Sequence, residues 1–97
     1  MAAYLVAVCD ITNMNENMGK YSAAAAELVA KNGGEYVIRG PGVENLEGDK
    51  LEGAYVVISR FPTMEQLKAF YYGDEYAAVK PLREGTGTYH ISIHEAA

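Results

Sequence analysis

Apolar positions recur along this chain with two different periods, and the switches between them mark out its elements. From Ala3 to Ile11 nearly every residue is apolar or β-branched. The run is too short to span a membrane and lacks polar alternation, so it predicts a strand covered on both faces. Asn13 then stands where a helix cap is needed, with Glu16 three residues on in the capping-box position. Met14, Met18, Tyr21, Ala25, Leu28 and Asn32 fall on one face of the helix that follows. Gly33-Gly34 ends it, because glycine enters the left-handed conformation that closes a helix C-terminus.

Glu35 to Arg39 predicts a second strand, and Gly40-Pro41-Gly42 a bulge or kink, since proline supplies no ladder donor. Val43 to Glu47 is expected to continue as an arm before the turn at Gly48-Asp49-Lys50. Ala54 to Ser59 is the most strand-like run by composition and predicts a central strand. Thr63 caps a second helix with Gln66 in the capping-box position, and Met64, Leu67, Phe70 and Tyr71 form its apolar stripe. Gly73 breaks that helix, and Asp74 is placed to cap a third segment running through Tyr76, Val79 and Leu82, with a kink at Pro81. Thr88 to His94 alternates cleanly, with Tyr89, Ile91 and Ile93 on one face and His90, Ser92 and His94 on the other.

The order β-α-β-β-α-β is the ferredoxin-like arrangement of the α+β class, an antiparallel sheet with both helices on one face. That arrangement leaves the second sheet face bare, yet the first and third predicted strands are apolar on both sides. A partner is therefore expected, and the simplest is another copy packed sheet to sheet.

Composition narrows the classes. A chain of 97 residues predicts one domain covering 1–97. Hydrophobic residues at 49% and charged residues at 22% match a globular protein and exclude a disordered one. Thirteen acidic residues against eight basic give a net charge of -5, and the basic residues are scattered singly. A phosphate-tracking groove needs clustered cations, so nucleic acid is not an expected partner. No basic residue precedes the first apolar run, which breaks at Asp10, so neither a signal peptide nor a membrane helix is expected, and the expected location is cytoplasmic. The single cysteine, Cys9, has no internal disulfide partner, in agreement with a reducing compartment.

Several short stretches acquire meaning together: Lys20-Tyr21, Gly33-Gly34, Arg39-Gly40, Leu46-Glu47-Gly48-Asp49, Phe61-Pro62, Phe70-Tyr71, Glu75-Tyr76 and Leu82-Arg83-Glu84-Gly85. In this order and spacing the chain resembles the domain-of-unknown-function 1330 family of the dimeric α/β-barrel superfamily, over nearly its whole length. The resemblance implies a homodimer. It also implies a superfamily that includes cofactor-free monooxygenases, isomerases, lyases, haem proteins and many members without assigned activity. Three positions depart from the family's habit. Phe70-Tyr71 stands where Trp-Tyr is usual, Arg39-Gly40-Pro41-Gly42 where Arg-Gly-Gly is frequent, and Arg60 where an acid commonly precedes Phe-Pro. The last replaces a carboxylate by a cation beside the sheet and alters the local electrostatics.

Arg39, beside a glycine pair at a strand end, can hold a carboxylate through two parallel hydrogen bonds. An ion pair with Glu44, Glu47 or the partner subunit is the structural alternative. Arg83 lies near the end of the last helical segment, where a cation also suits the helix dipole. Tyr21, Tyr72 and Tyr76 are placed to line a cleft between helices and sheet with their hydroxyls toward a ligand, although packing alone accounts for Tyr21. His90 is the first candidate for a general base, because its pKa lies nearest neutrality, and Asp10 is the second. His90 and His94 are about 13 Å apart along a strand and do not chelate one metal, so no metal site is expected. Cys9 reads as an ordinary buried thiol. Gly40-Pro41-Gly42-Val43 lacks the Lys-Ser/Thr and the helix of a phosphate loop, so no nucleotide or other cofactor is expected.

Three functions remain open on this reading. The first is a small homodimer that binds an anionic or aromatic metabolite between sheet and helices. The second is cofactor-independent catalysis on an enolisable or phenolic substrate, with His90 or Asp10 taking a proton and Arg39 or Tyr21 stabilising the anion. It requires a base that faces the cleft. The third is a structural dimer, which a filled core without a cleft favours.

Overall fold

The computed structural model describes residues 1–97. Its elements follow in the order β1 (Ala3–Ile11), α1 (Glu16–Lys31), β2 (Glu35–Pro41), β3 (Tyr55–Phe61), α2 (Met64–Tyr71), α3 (Asp74–Val79), a 3-10 turn (Lys80–Arg83) and β4 (Gly87–Glu95). The four strands form one antiparallel sheet in the order β2-β3-β1-β4. β1 and β3, the two runs that are apolar on both sides, thus occupy its centre. This is the ferredoxin-like α+β fold that the alternation of periods predicts. No helix is long and apolar enough to cross a membrane.

Strand register sorts the side chains into two layers. Leu5 lies between Ser59 and Ile93, Ala7 between Val57 and Ile91, and Cys9 between Tyr55 and Tyr89. These residues face the helices and, with Leu28, Val29, Leu67, Phe70 and Tyr76, belong to the hydrophobic core or pack against it, with Ser59 buried among them. Tyr4, Val6 and Val8 alternate to the opposite face, in register with Arg60, Ile58 and Val56 on one side and His94, Ser92 and His90 on the other. No helix covers that face.

The centre of the core is Phe61, fully buried and stacked on Phe70 with ring centroids 5.6 Å apart. Gly34 makes room for it, since a Cβ there would come within 2.6 Å of the Phe61 ring. Gly33, at φ +82°, supplies the left-handed residue after α1 that the glycine pair predicts.

Four local expectations are corrected. The cap of α1 is Asn15 and not Asn13: the Asn15 side chain accepts the Met18 backbone N–H at 2.9 Å. The backbone N–H groups of Thr12 and Asn13 are already committed to the Thr86 carbonyl, at 2.8 and 3.0 Å. The chain is therefore held beside β4 until it turns into the helix, and Met14 stays outside α1, 68% exposed. α3 is entered through Gly73, which makes no side-chain cap bond, and Asp74 is its first residue. β2 continues through Pro41, because β2 is an edge strand and the missing donor costs no ladder bond on its open side. Its irregularity lies instead between Tyr36 and Ile38. Val43 to Glu47 forms no strand, and Val43 and Leu46 are exposed in the loop that leads to β3. Thr63, by contrast, caps α2 as expected, accepting the Gln66 N–H at 3.2 Å.

Candidate functional site

Small side chains on two facing walls leave a space in the core. β1 contributes Ala7 and Cys9, and α1 faces them with Ala25 and Ser22. Larger residues at the rim hold the layers apart, and the result is a cavity of about 390 Å³, within the range of pockets that take a small organic ligand. Sixteen of the twenty residues lining it are hydrophobic, so the body of any ligand must be apolar. The remaining four are Ser22, Ser59, Arg39 and Arg83.

Two tyrosines meet at one wall. The hydroxyls of Tyr21 on α1 and Tyr76 on α3 are 2.7 Å apart, and Tyr76 is held by Phe70 and Tyr71, each with its ring centroid 4.9 Å away. Burial pushes both phenols above their ordinary range, and the Arg83 guanidinium only partly opposes it. Both are neutral at physiological pH, so the pair is not a base. One hydroxyl proton lies between them and the other is free to be donated to a ligand.

Arg83 is the cation beside this pair. Its guanidinium lies 4.7 Å from the ring centroid of Tyr89 and 5.7 Å from that of Tyr21, a cation–π arrangement that fixes its direction. Fully buried Thr86 locks the base of the arrangement, its hydroxyl bonding both the Arg83 carbonyl and the Tyr89 hydroxyl. Arg39 is held in the same manner, 4.2 Å over the Tyr36 ring. The chain's three ion pairs are Glu16–Lys20, Lys31–Glu75 and Glu35–Arg60. Arg39 therefore does not pair with Glu44 or Glu47, and neither cavity guanidinium has a carboxylate partner in the chain. Cys9 also lines the cavity. Burial pushes its thiol up against the opposing effect of Arg83, which leaves it neutral and weakly reactive.

Tyr21, Tyr76, Arg39 and Arg83 thus converge on one cavity, while three other candidates do not. Tyr72 is 73% exposed and packs edge-on against Tyr71, outside the cavity, because it is the residue that closes α2 at its exposed end. His90 and Asp10 are exposed on the opposite face of the sheet. The cause is strand alternation: Cys9 and Tyr89 point into the cavity, so their neighbours Asp10 and His90 point away. The condition that a base face the cleft is met by neither.

Tyr36, Tyr89 and Thr86 are site residues that sequence reasoning missed. Tyr89 was legible in principle, since it shares the apolar face of β4 with Ile91. Tyr36 was not, because residues three apart on a regular strand lie on opposite faces. The irregularity at Val37 cancels that rule: Tyr36 pairs with Ser59 and Arg39 with Val57, both on the helix-facing side of β3.

Solved structures share this architecture at low identity. A protein of unknown function from Rhodopseudomonas palustris matches with a TM-score of 0.79 and 13% identity, covering 99% of this chain and 82% of that one. A cofactor-independent oxygenase from Streptomyces nogalater matches with a TM-score of 0.68 and 12% identity, over 99% and 93% of the two chains. A dimeric ferredoxin-like protein of unknown function from Thermobifida fusca matches at 0.66 and 12%, over 99% and 92%. Among curated proteins none matches. At such identities the likeness shows the fold alone, but the sequence carries a more specific signature across residues 2–97, and by it the chain belongs to the family described as domain of unknown function (DUF1330).

Proposed function

We propose that this protein binds a small amphipathic molecule, an apolar or aromatic body carrying an anionic group, in the cavity between α1 and the sheet. The observation that carries this reading is the apolar cavity of about 390 Å³ with an unpaired guanidinium, Arg83, held on its wall by tyrosine rings. A cation left without a carboxylate beside an apolar space is matched by a ligand that brings one. The Tyr21–Tyr76 pair adds a neutral donor to the same anion. Biphenyl-4-carboxylate is a suitable probe, titrated into the purified protein by calorimetry. Arg83→Ala should weaken it more than tenfold, as expected for loss of a charge-assisted hydrogen bond, and an unaltered affinity sinks the assignment.

The protein acts as a homodimer on this reading, paired through the open sheet face. Tyr4, Val6, Val8, Ile38, Val56 and Ile58 make that face apolar at its centre. The accessible surface supports the pairing: 6335 Å², against about 5,400 Å² for a compact monomer of this mass. The excess is comparable to the roughly 800 Å² that each partner of a standard complex buries. The molecule is also flat, with extents of 35 × 33 × 15 Å, the thickness of one sheet with one layer of helices. An open cavity counts against a purely structural dimer. The oxygenase among the structural relatives favours catalysis by analogy only, and the placement of His90 and Asp10 on the sheet face turned away from the cavity leaves a mechanism in that cavity without either base.

A further inference from the structure

The cavity has two guanidiniums, and they enter it from different sides. Arg39 projects from β2, the edge strand, level with Val57, Ala7 and Ile91 across the sheet. Arg83 lies over Tyr89, a residue of β4 at the other edge. β2 and β4 are separated by three strand spacings, about 14 Å between axes, which sets the scale of the gap between the two cations. Arg83 bears on Cys9, Tyr21 and Tyr76, whereas the phenol that feels Arg39 is Tyr36. The two do not form one clamp. Arg39 is exposed at the rim, over Tyr36, and Arg83 is half-buried, over Tyr89 and Tyr21; each lacks a carboxylate in the chain, and the floor between them is apolar: Ala7, Cys9, Tyr55 and Val57.

We infer that the ligand is two-headed: a molecule with an anionic group at each end of an apolar or aromatic spacer, one end held by Arg83 with the Tyr21–Tyr76 hydroxyls and the other by Arg39 on Tyr36. The inference rests on the anion-binding role proposed above for Arg83 and adds a length and a second charge to it. A molecule with one anion leaves the second guanidinium facing the apolar body or solvent. A molecule of the same body with a carboxylate at both ends satisfies both.

The test compares biphenyl-4,4′-dicarboxylate with biphenyl-4-carboxylate by calorimetry on the full chain, in the wild type and in the R39A and R83A variants. The diacid should bind the wild type at least tenfold more tightly than the monoacid. R39A should bring that ratio close to one, and R83A should weaken both acids. A wild-type ratio near one overturns the two-headed ligand while leaving the single-anion reading in place. R83A leaving the monoacid unweakened overturns the single-anion reading, and this inference with it. Sedimentation of R39A completes the comparison: loss of the wild-type oligomer in that variant assigns Arg39 to the subunit contact and overturns the inference as well.

Discussion

Replacing Val6 by lysine separates the folding of the subunit from its pairing. Val6 lies at the middle of the open sheet face, between Ile58 on β3 and Ser92 on β4, and is half-buried in the single chain. Fully burying a valine side chain contributes roughly 1.5–3 kcal/mol, so covering its exposed half against a partner contributes about 1 kcal/mol. A twofold interface contains the residue twice, which brings the loss to about 2 kcal/mol, or about thirtyfold in the dimer dissociation constant. Two ammonium groups brought together near the axis add to it. The fold of the subunit should survive, because a lysine on this face has the same access to solvent that the valine has in the isolated chain. Sedimentation velocity over a concentration series reads the dissociation, and circular dichroism reads the fold. A V6K protein that dimerises as tightly as the wild type refutes the assignment of this face, as does a wild type that stays monomeric at high concentration.

Two further predictions concern the helix cap and the buried phenols. Asn15→Ala should cost about 1 kcal/mol in urea denaturation and Asn13→Ala less than about 0.5 kcal/mol; equal losses contradict the observed cap. Tyr21, Tyr36 and Tyr76 all have pKa values raised by burial from an ordinary 10.0, so the unfolded chain releases protons first as pH rises. Their contribution is complete below about pH 10 and declines above it. The Y21F/Y76F double variant should therefore lose less stability than the wild type between about pH 8 and 11, and an equally steep loss contradicts the burial argument.

What could be read from the sequence followed from period and composition, and what could not followed from contacts distant along the chain. Composition marked β3 as central and the two-sided apolar run marked β1 as covered on both faces, and the alternation of β4 separated Tyr89 from His90 before either had a location. That same alternation turns out to count against His90, the first candidate base from the sequence, because a cavity floored by the apolar face of β4 leaves His90 on the far side. The choice between Asn13 and Asn15 is invisible locally. It is made by Thr86, more than seventy residues away, whose carbonyl accepts the backbone N–H groups of Thr12 and Asn13 and so takes the donor that a capping box at Asn13 would give to the Glu16 side chain. The pairing of Tyr36 with Arg39 depends on one irregular residue in β2, and an isolated valine between two strand formers gives no sign of it. Arg39 and Arg83 were singled out one at a time; that both line one cavity is a fact of topology.

The position of β1 in the sheet governs how the molecule comes into being. The strand precedes both of its ladder partners, β3 and β4, and more than forty residues separate its end at Ile11 from the start of β3 at Tyr55. Until β3 is made, this nine-residue segment, apolar on both sides, has α1 to pack against on one face but no ladder partner, and closing those distant ladders makes for slow folding. During that interval the open face and both edges of β1 are unprotected, and the yield of folded protein in a cell depends on what shields that stretch.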